Sequence, residues 1–167
     1  MGKATEIILS YSKGEITVEK KFKDPGGHKA SPVSGTYKFG LYENADGTTP
    51  DTTTTPLQTI TITYQAGEKT SKTEKFVNLD LSKIYYVFEL DDNGNPIKDS
   101  TTVATVNKME YFTSYATTKI DCATTGVNSA VNGNTVTVTN QIRVKELPST
   151  GSYGPLIFRL AGAVLIF

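Results

Sequence analysis

The chain has 167 residues, with 17 Lys+Arg against 17 Asp+Glu, one His, one Cys and no Trp. That length suits one ordinary domain with a short appendage, and a zero formal charge with scattered basic residues removes the electrostatic case for nucleic acid or an anionic membrane surface as a partner. A single thiol, Cys122, cannot close an internal disulfide and is read as a small buried side chain.

Thr, Val and Tyr are abundant and no long helical period appears before residue 150, so an all-β chain is expected. Near the start, Ile7-Ile8-Leu9 is too short an apolar stretch for a secretory leader, which needs roughly 7–15 such residues. The beginning is therefore read as a fragment boundary, with residues 1–14 an extra strand (over 5–11) or the remnant of an upstream domain. Strands follow at 15–22, 36–43, 57–64, 73–79 and 83–90. Tyr37, Phe39 and Leu41 share one face of the second, and Leu57, Ile60 and Ile62 are the apolar residues of the third. Asp24-Pro25-Gly26-Gly27, the stretch 44–56, 67–71 and Asp91 to Pro96 read as turns and loops, and Asn93-Gly94 is a hairpin signal. One or two strands lie within 101–115, a turn at Asn132-Gly133-Asn134, and a clear period-2 strand over 135–144. About eight short strands at near-regular spacing predict a β-sandwich over 15–145.

Three polar residues interrupt the apolar phase. Side chains two apart share a face of a strand, so Lys20 continues the inward series of Ile16 and Val18, Glu89 that of Tyr85 and Val87, and Asn140 that of Val136 and Val138. Burying any one alone costs several kcal/mol, which points to all three being buried together. Lys21 takes the inward place if a bulge shifts the phase. His28 stands alone in a Gly/Pro-rich loop, so no nucleophile–base pair of a hydrolase assembles around it. Asp91, Asp92, Asn93 and Asn95 are explained as a turn, and neither a metal nor a cofactor is expected.

Residues 146–167 have a different character. Leu147-Pro148-Ser149-Thr150-Gly151 matches the LPxTG sorting signal of sortase substrates at every fixed position, directly after a β-domain and before the apolar stretch 156–167, broken only by Arg159. Proline restricts its own φ and the residue before it, giving an extended peptide suited to an enzyme groove. A sortase cysteine would attack the Thr150 carbonyl, and Gly151 would leave. A membrane span needs about 20 apolar residues, so the tail is read as the first half of a transiently inserted span.

ITVEKKF, GTYKFGLYE, YYVFEL and NTVTVTN, followed by LPSTG, resemble the Gram-positive pilin and collagen-adhesin B-type domain family over most of residues 15–151. The resemblance implies an immunoglobulin-like β-sandwich and a spontaneous isopeptide bond between a first-strand Lys and a last-strand Asn, assisted by a middle-strand Glu. Carried over, these are Lys20, Asn140 and Glu89, with a protonated Glu89 polarising the amide oxygen and shuttling protons. It also implies a wall-anchored pilin subunit or adhesin stalk on a Gram-positive surface. Its partners would be sortase and then peptidoglycan or another pilin subunit, and it would have no catalytic turnover. No YPKN-like motif marks a polymerising lysine, so shaft pilin, basal pilin and monomeric adhesin stay open. The alternative is an adhesin domain that binds a host ligand through the Thr-rich loop 44–56, which lacks aromatic anchors.

Overall fold

A computed structural model of the chain describes residues 13–43, 52, 55–81, 83–98, 100–117, 129–130 and 135–144. Nine strands and no helix occur among them: β1 (Gly14–Lys23), β2 (Gly35–Glu43), β3 (Gln58–Tyr64), β4 (Lys72–Leu79), β5 (Tyr85–Leu90), β6 (Val103–Val106), β7 (Met109–Thr117), β8 (Ser129–Ala130) and β9 (Thr135–Ile142). They form a five-stranded sheet, β4-β1-β9-β7-β6, and a four-stranded sheet, β3-β2-β5-β8. Among the described residues the fold is thus all-β, a sandwich of two sheets. The strand expected over 5–11, Cys122, the Asn132–Asn134 turn, residues 146–167 and most of the 44–56 loop lie outside the described residues.

The alternation read from the sequence is what closes the sandwich. On β1, Ile16, Val18, Lys20 and Phe22 are buried while Glu15, Lys21 and Lys23 are exposed. On β2, Tyr37, Phe39 and Leu41 are fully buried. Phe22 meets Tyr37 and Tyr64 edge-on across the two sheets, with ring centroids 5.2 and 5.5 Å apart, a favoured aromatic geometry. Such burial of branched and aromatic side chains is the main stabilising term. Leu57 departs from the expectation: it precedes β3, is 56% exposed, and leaves Ile62 and Tyr64 to face the core.

β1 and β9, the first and last described strands, lie side by side and parallel, with Lys20 in register with Val138 and Phe22 with Asn140. Their remaining edges pair antiparallel with β4 and β7. No short turn can join parallel neighbours, and here nearly the whole domain intervenes between them.

Two turns differ from the sequence reading. Asn93-Gly94 does reverse the chain, with Gly94 at φ 84° and Asp91 Oδ1 accepting from the Asn93 and Asn95 amides at 2.9 and 2.8 Å. It does not make a strand hairpin: only a single bridge, Leu90 to Pro96, follows before the chain crosses to β6 in the other sheet. The true tight hairpin joins β6 and β7 at Asn107-Lys108, both left-handed at φ 51° and 61°. Neither residue is glycine, and left-handed backbone is costly for side-chain-bearing residues. The Asp92 carboxylate offsets that cost by accepting from both amides, at 2.8 and 2.9 Å. Asn107 Oδ1 in turn accepts from the Thr36 amide at 3.1 Å, beside Gly35, where any Cβ would meet the Asn107 side chain at 2.7 Å.

Candidate functional site: a buried Lys–Glu–Asn cluster

Five side chains that are polar or charged are buried among the described residues, and four of them, Lys20, Glu89, Thr113 and Asn140, are fully inaccessible and gather in one place. Lys20 on β1 and Asn140 on β9 face the same way because their strands are neighbours in one sheet and the two residues stand two rungs apart. Glu89 comes from β5 in the opposite sheet, where it pairs with Phe39 of β2. Its carboxylate therefore crosses the interior to reach the other two. Lys21 points outward and pairs with Glu19, its side chain 49% exposed; no bulge shifts the phase around Lys20 in either ladder.

One carboxylate oxygen serves both partners. Glu89 Oε1 lies 2.8 Å from Lys20 Nζ and accepts from Asn140 Nδ2 at 3.2 Å. Lys20 and Glu89 thus form an ion pair with both side chains fully buried. Otherwise Nζ sits over the rings of Tyr37, Phe22 and Phe39, 5.1, 5.3 and 5.9 Å from their centroids. Ring faces attract a cation, but more weakly than water solvates it. Desolvation consequently outweighs the attraction of Glu89 and brings the Lys20 pKa down from 10.5 to about 8.

The surroundings hold this geometry in place. Tyr64 donates to the Lys20 carbonyl at 3.1 Å and accepts from the Lys72 amide at 2.8 Å. The Tyr115 hydroxyl donates to the Ile97 carbonyl at 2.6 Å and accepts from the Glu89 amide at 3.1 Å, pinning the backbone that carries the carboxylate. Burial raises the pKa of Tyr37 and Tyr115, with the charge of Glu89 adding to it, so both stay neutral donors.

Thr113 is the residue that sequence reasoning missed. It stands directly opposite Asn140 on β7, and its hydroxyl donates to Asn140 Oδ1 at 2.9 Å, with Glu89 Oε2 at 3.4 Å. The available signal was its place in the inward series between Tyr111 and Tyr115, but threonine suits strands well enough to pass unnoticed there. The amide contacts divide between two side chains: Glu89 accepts from the Asn140 nitrogen, and Thr113 donates to its oxygen.

The remaining sequence candidates separate from this cluster. His28 is 83% exposed beside Asp24. The Asp91 and Asp92 carboxylates are occupied by backbone amides. Leu147, Pro148, Ser149, Thr150 and Gly151 lie outside the described residues.

No family model matches the chain, and no curated protein matches it. Among solved structures, it is similar to a bacterial adhesin from Mobiluncus mulieris containing intramolecular disulfide, isopeptide and ester bond cross-links, at 16% identity and a TM-score of 0.43, covering 78% of this chain and 42% of that one. It is also similar to the major pilin protein (T3.2) from Streptococcus pyogenes serotype GAS13637, at 14% identity and a TM-score of 0.36, covering 80% of this chain and 46% of that one. The chain spans less than half the length of either structure, and at this degree of likeness neither assigns it a function.

Proposed function

We propose that the chain is a structural surface protein of a Gram-positive bacterium, a pilin subunit or adhesin stalk domain. Its sandwich is locked by a Lys20–Asn140 isopeptide bond, and its LPSTG peptide is joined by sortase to peptidoglycan or to another subunit. The observation that carries this reading is the dry contact of Lys20, Glu89 and Asn140, in which one carboxylate oxygen touches both the amine and the amide.

The chemistry follows from burial. An ammonium is no nucleophile, and a lysine brought down to about 8 supplies a useful fraction of free amine near neutral pH. In molecules whose amine is free, Lys20 Nζ adds to Asn140 Cγ. Glu89 Oε1 takes a proton from Nζ and passes it to Nδ2, its other neighbour, and ammonia leaves. The Nζ–Cγ bond replaces the Cγ–Nδ2 bond, and Glu89 ends as it began. Fixing amine and amide side by side supplies the effective concentration. The reaction happens once in each chain, so the protein has no turnover and needs no cofactor.

The topology gives the bond a purpose. Pulling the start of β1 away from the end of β9 loads their parallel ladder in shear. With the cross-link in place, force enters along β1, crosses at Lys20 to Asn140 and leaves along the last residues of β9, bypassing the residues between. Single-molecule pulling of the full chain by its ends tests this. The wild type is expected to release no length from the segment between residues 20 and 140, whereas Lys20→Ala releases it. A wild type that unravels like the variant removes the stalk reading.

A further inference from the structure

We propose that Thr113 is a working part of the bond-forming centre: its hydroxyl donates to Asn140 Oδ1, the atom on which negative charge collects as the Lys20 amine adds to Cγ. This rests on the isopeptide reading above and assigns a role that the Lys–Glu–Asn set leaves unfilled. Glu89 Oε1 is committed to the two nitrogens, Lys20 Nζ at 2.8 Å and Asn140 Nδ2 at 3.2 Å. No nitrogen donor reaches Oδ1 in the described structure; the Thr113 hydroxyl does, at 2.9 Å.

The position of Thr113 argues that the hydroxyl is there for this contact. It is fully buried on the inward face of β7, between Tyr111 and Tyr115. A buried hydroxyl costs free energy unless bonded, and a valine of the same shape would fill the site without that cost. A hydroxyl has one proton to donate and can also accept. Thr113 Oγ1 donates to Oδ1 at 2.9 Å and lies 3.4 Å from Glu89 Oε2, so the hydroxyl stands between the amide oxygen and the carboxylate with its proton on the amide side. As the tetrahedral adduct forms, Oδ1 gains charge and the Thr113 hydrogen bond shortens onto it. As the adduct collapses, the C=O re-forms and the hydroxyl relaxes. The proton taken from Nζ goes out with ammonia through Oε1, so Thr113 and Oε2 finish unchanged. Donors fixed where charge develops are among the strongest contributors to catalysis in a dry site.

The test follows cross-linking in time. The full chain is assembled by chemical synthesis in denaturant, so that Lys20 and Asn140 start unlinked, then refolded by dilution, and its intact mass recorded as ammonia is lost, about 17 Da per bond by the stoichiometry of aminolysis. Thr113→Val and Thr113→Ala are expected to refold, as judged by circular dichroism, and to lose ammonia slower by on the order of 100-fold. Thr113→Ser keeps the hydroxyl and is expected to stay within a few-fold of the wild type. Val and Ala variants that react at the wild-type rate overturn the proposal, and so does a Ser variant as slow as they are, since either result means the hydroxyl is not what matters. A wild type that loses no ammonia is a different failure: it removes the isopeptide reading itself.

Discussion

Lys20 and Lys21 are neighbours on one strand, each beside a glutamate at almost the same distance, 2.8 Å to Glu89 and 2.9 Å to Glu19. Lys20 and its partner are wholly buried; Lys21 and Glu19 retain 49% and 21% of their side-chain exposure. Distance therefore does not distinguish the two pairs; the medium does. Facing water, the Lys21 pair is screened, and its Coulomb attraction is nearly cancelled by hydration and side-chain entropy. Facing the core, the Lys20 pair has lost its hydration, and that loss disfavours the charged amine and brings the Lys20 pKa down to about 8. One rung of a strand separates a solvated ion pair from a desolvated one.

The largest effect in this comparison is expected from Lys20→Ala. It removes the proposed cross-link, worth roughly 2–5 kcal/mol if a closed loop stabilises as a disulfide does, and leaves Glu89 buried without its partner, a change that typically costs about 3–5 kcal/mol more. Glu89→Gln should lose the bond while keeping shape and hydrogen bonding, and so fall between Lys20→Ala and wild type. Urea denaturation of the three proteins, read with intact mass, checks the order. A Glu89→Gln chain that still forms the bond at the wild-type rate would remove the acid–base role.

An intermediate effect concerns pH and is read in Asn140→Ala, which cannot cross-link. A lysine at about 8 in the folded state and 10.5 when unfolded binds fewer protons folded than unfolded between those values. Stability should therefore rise with pH through that window and lie lowest below it, where the buried amine is charged. The tyrosines whose pKa burial raises act oppositely, but only above their unfolded value of 10.0. Urea midpoints at pH 7, 8, 9 and 10 should climb; a flat or falling series contradicts the desolvated amine. The smallest effect is expected from Lys21→Ala, within about 1 kcal/mol of wild type and with ammonia loss intact. A Lys21→Ala chain that fails to cross-link would transfer the chemistry to the wrong neighbour.

How far the sequence revealed this centre depends on what each residue interrupts. Lys20, Glu89 and Asn140 are visible because each breaks an apolar period-2 series with a group that water strongly prefers, and strand phase alone aims them inward. Which of them meet is not visible, because that depends on β1 and β9 being parallel neighbours and on β5 lying across the sandwich from both. Thr113 interrupts the same kind of series but is no surprise in a strand, so its partner on β9 had to be known first. The β6–β7 hairpin stayed hidden for a related reason. Its turn residues, Asn107 and Lys108, have no glycine signature, and their left-handed backbone is held by Asp92, some fifteen residues away in sequence. The Asn93-Gly94 signal, by contrast, marks the local reversal correctly but closes no strand hairpin, since a dipeptide specifies a turn and not which sheet the chain enters next.

The central claim is that the buried amine and amide are joined, and peptide-level mass spectrometry tests it most directly. Proteolysis of the folded, purified chain should yield a branched peptide containing both Lys20 and Asn140, short of one ammonia, and fragmentation should place the junction on those two side chains. Recovery of the Lys20 and Asn140 peptides only as separate, unmodified species would contradict the account.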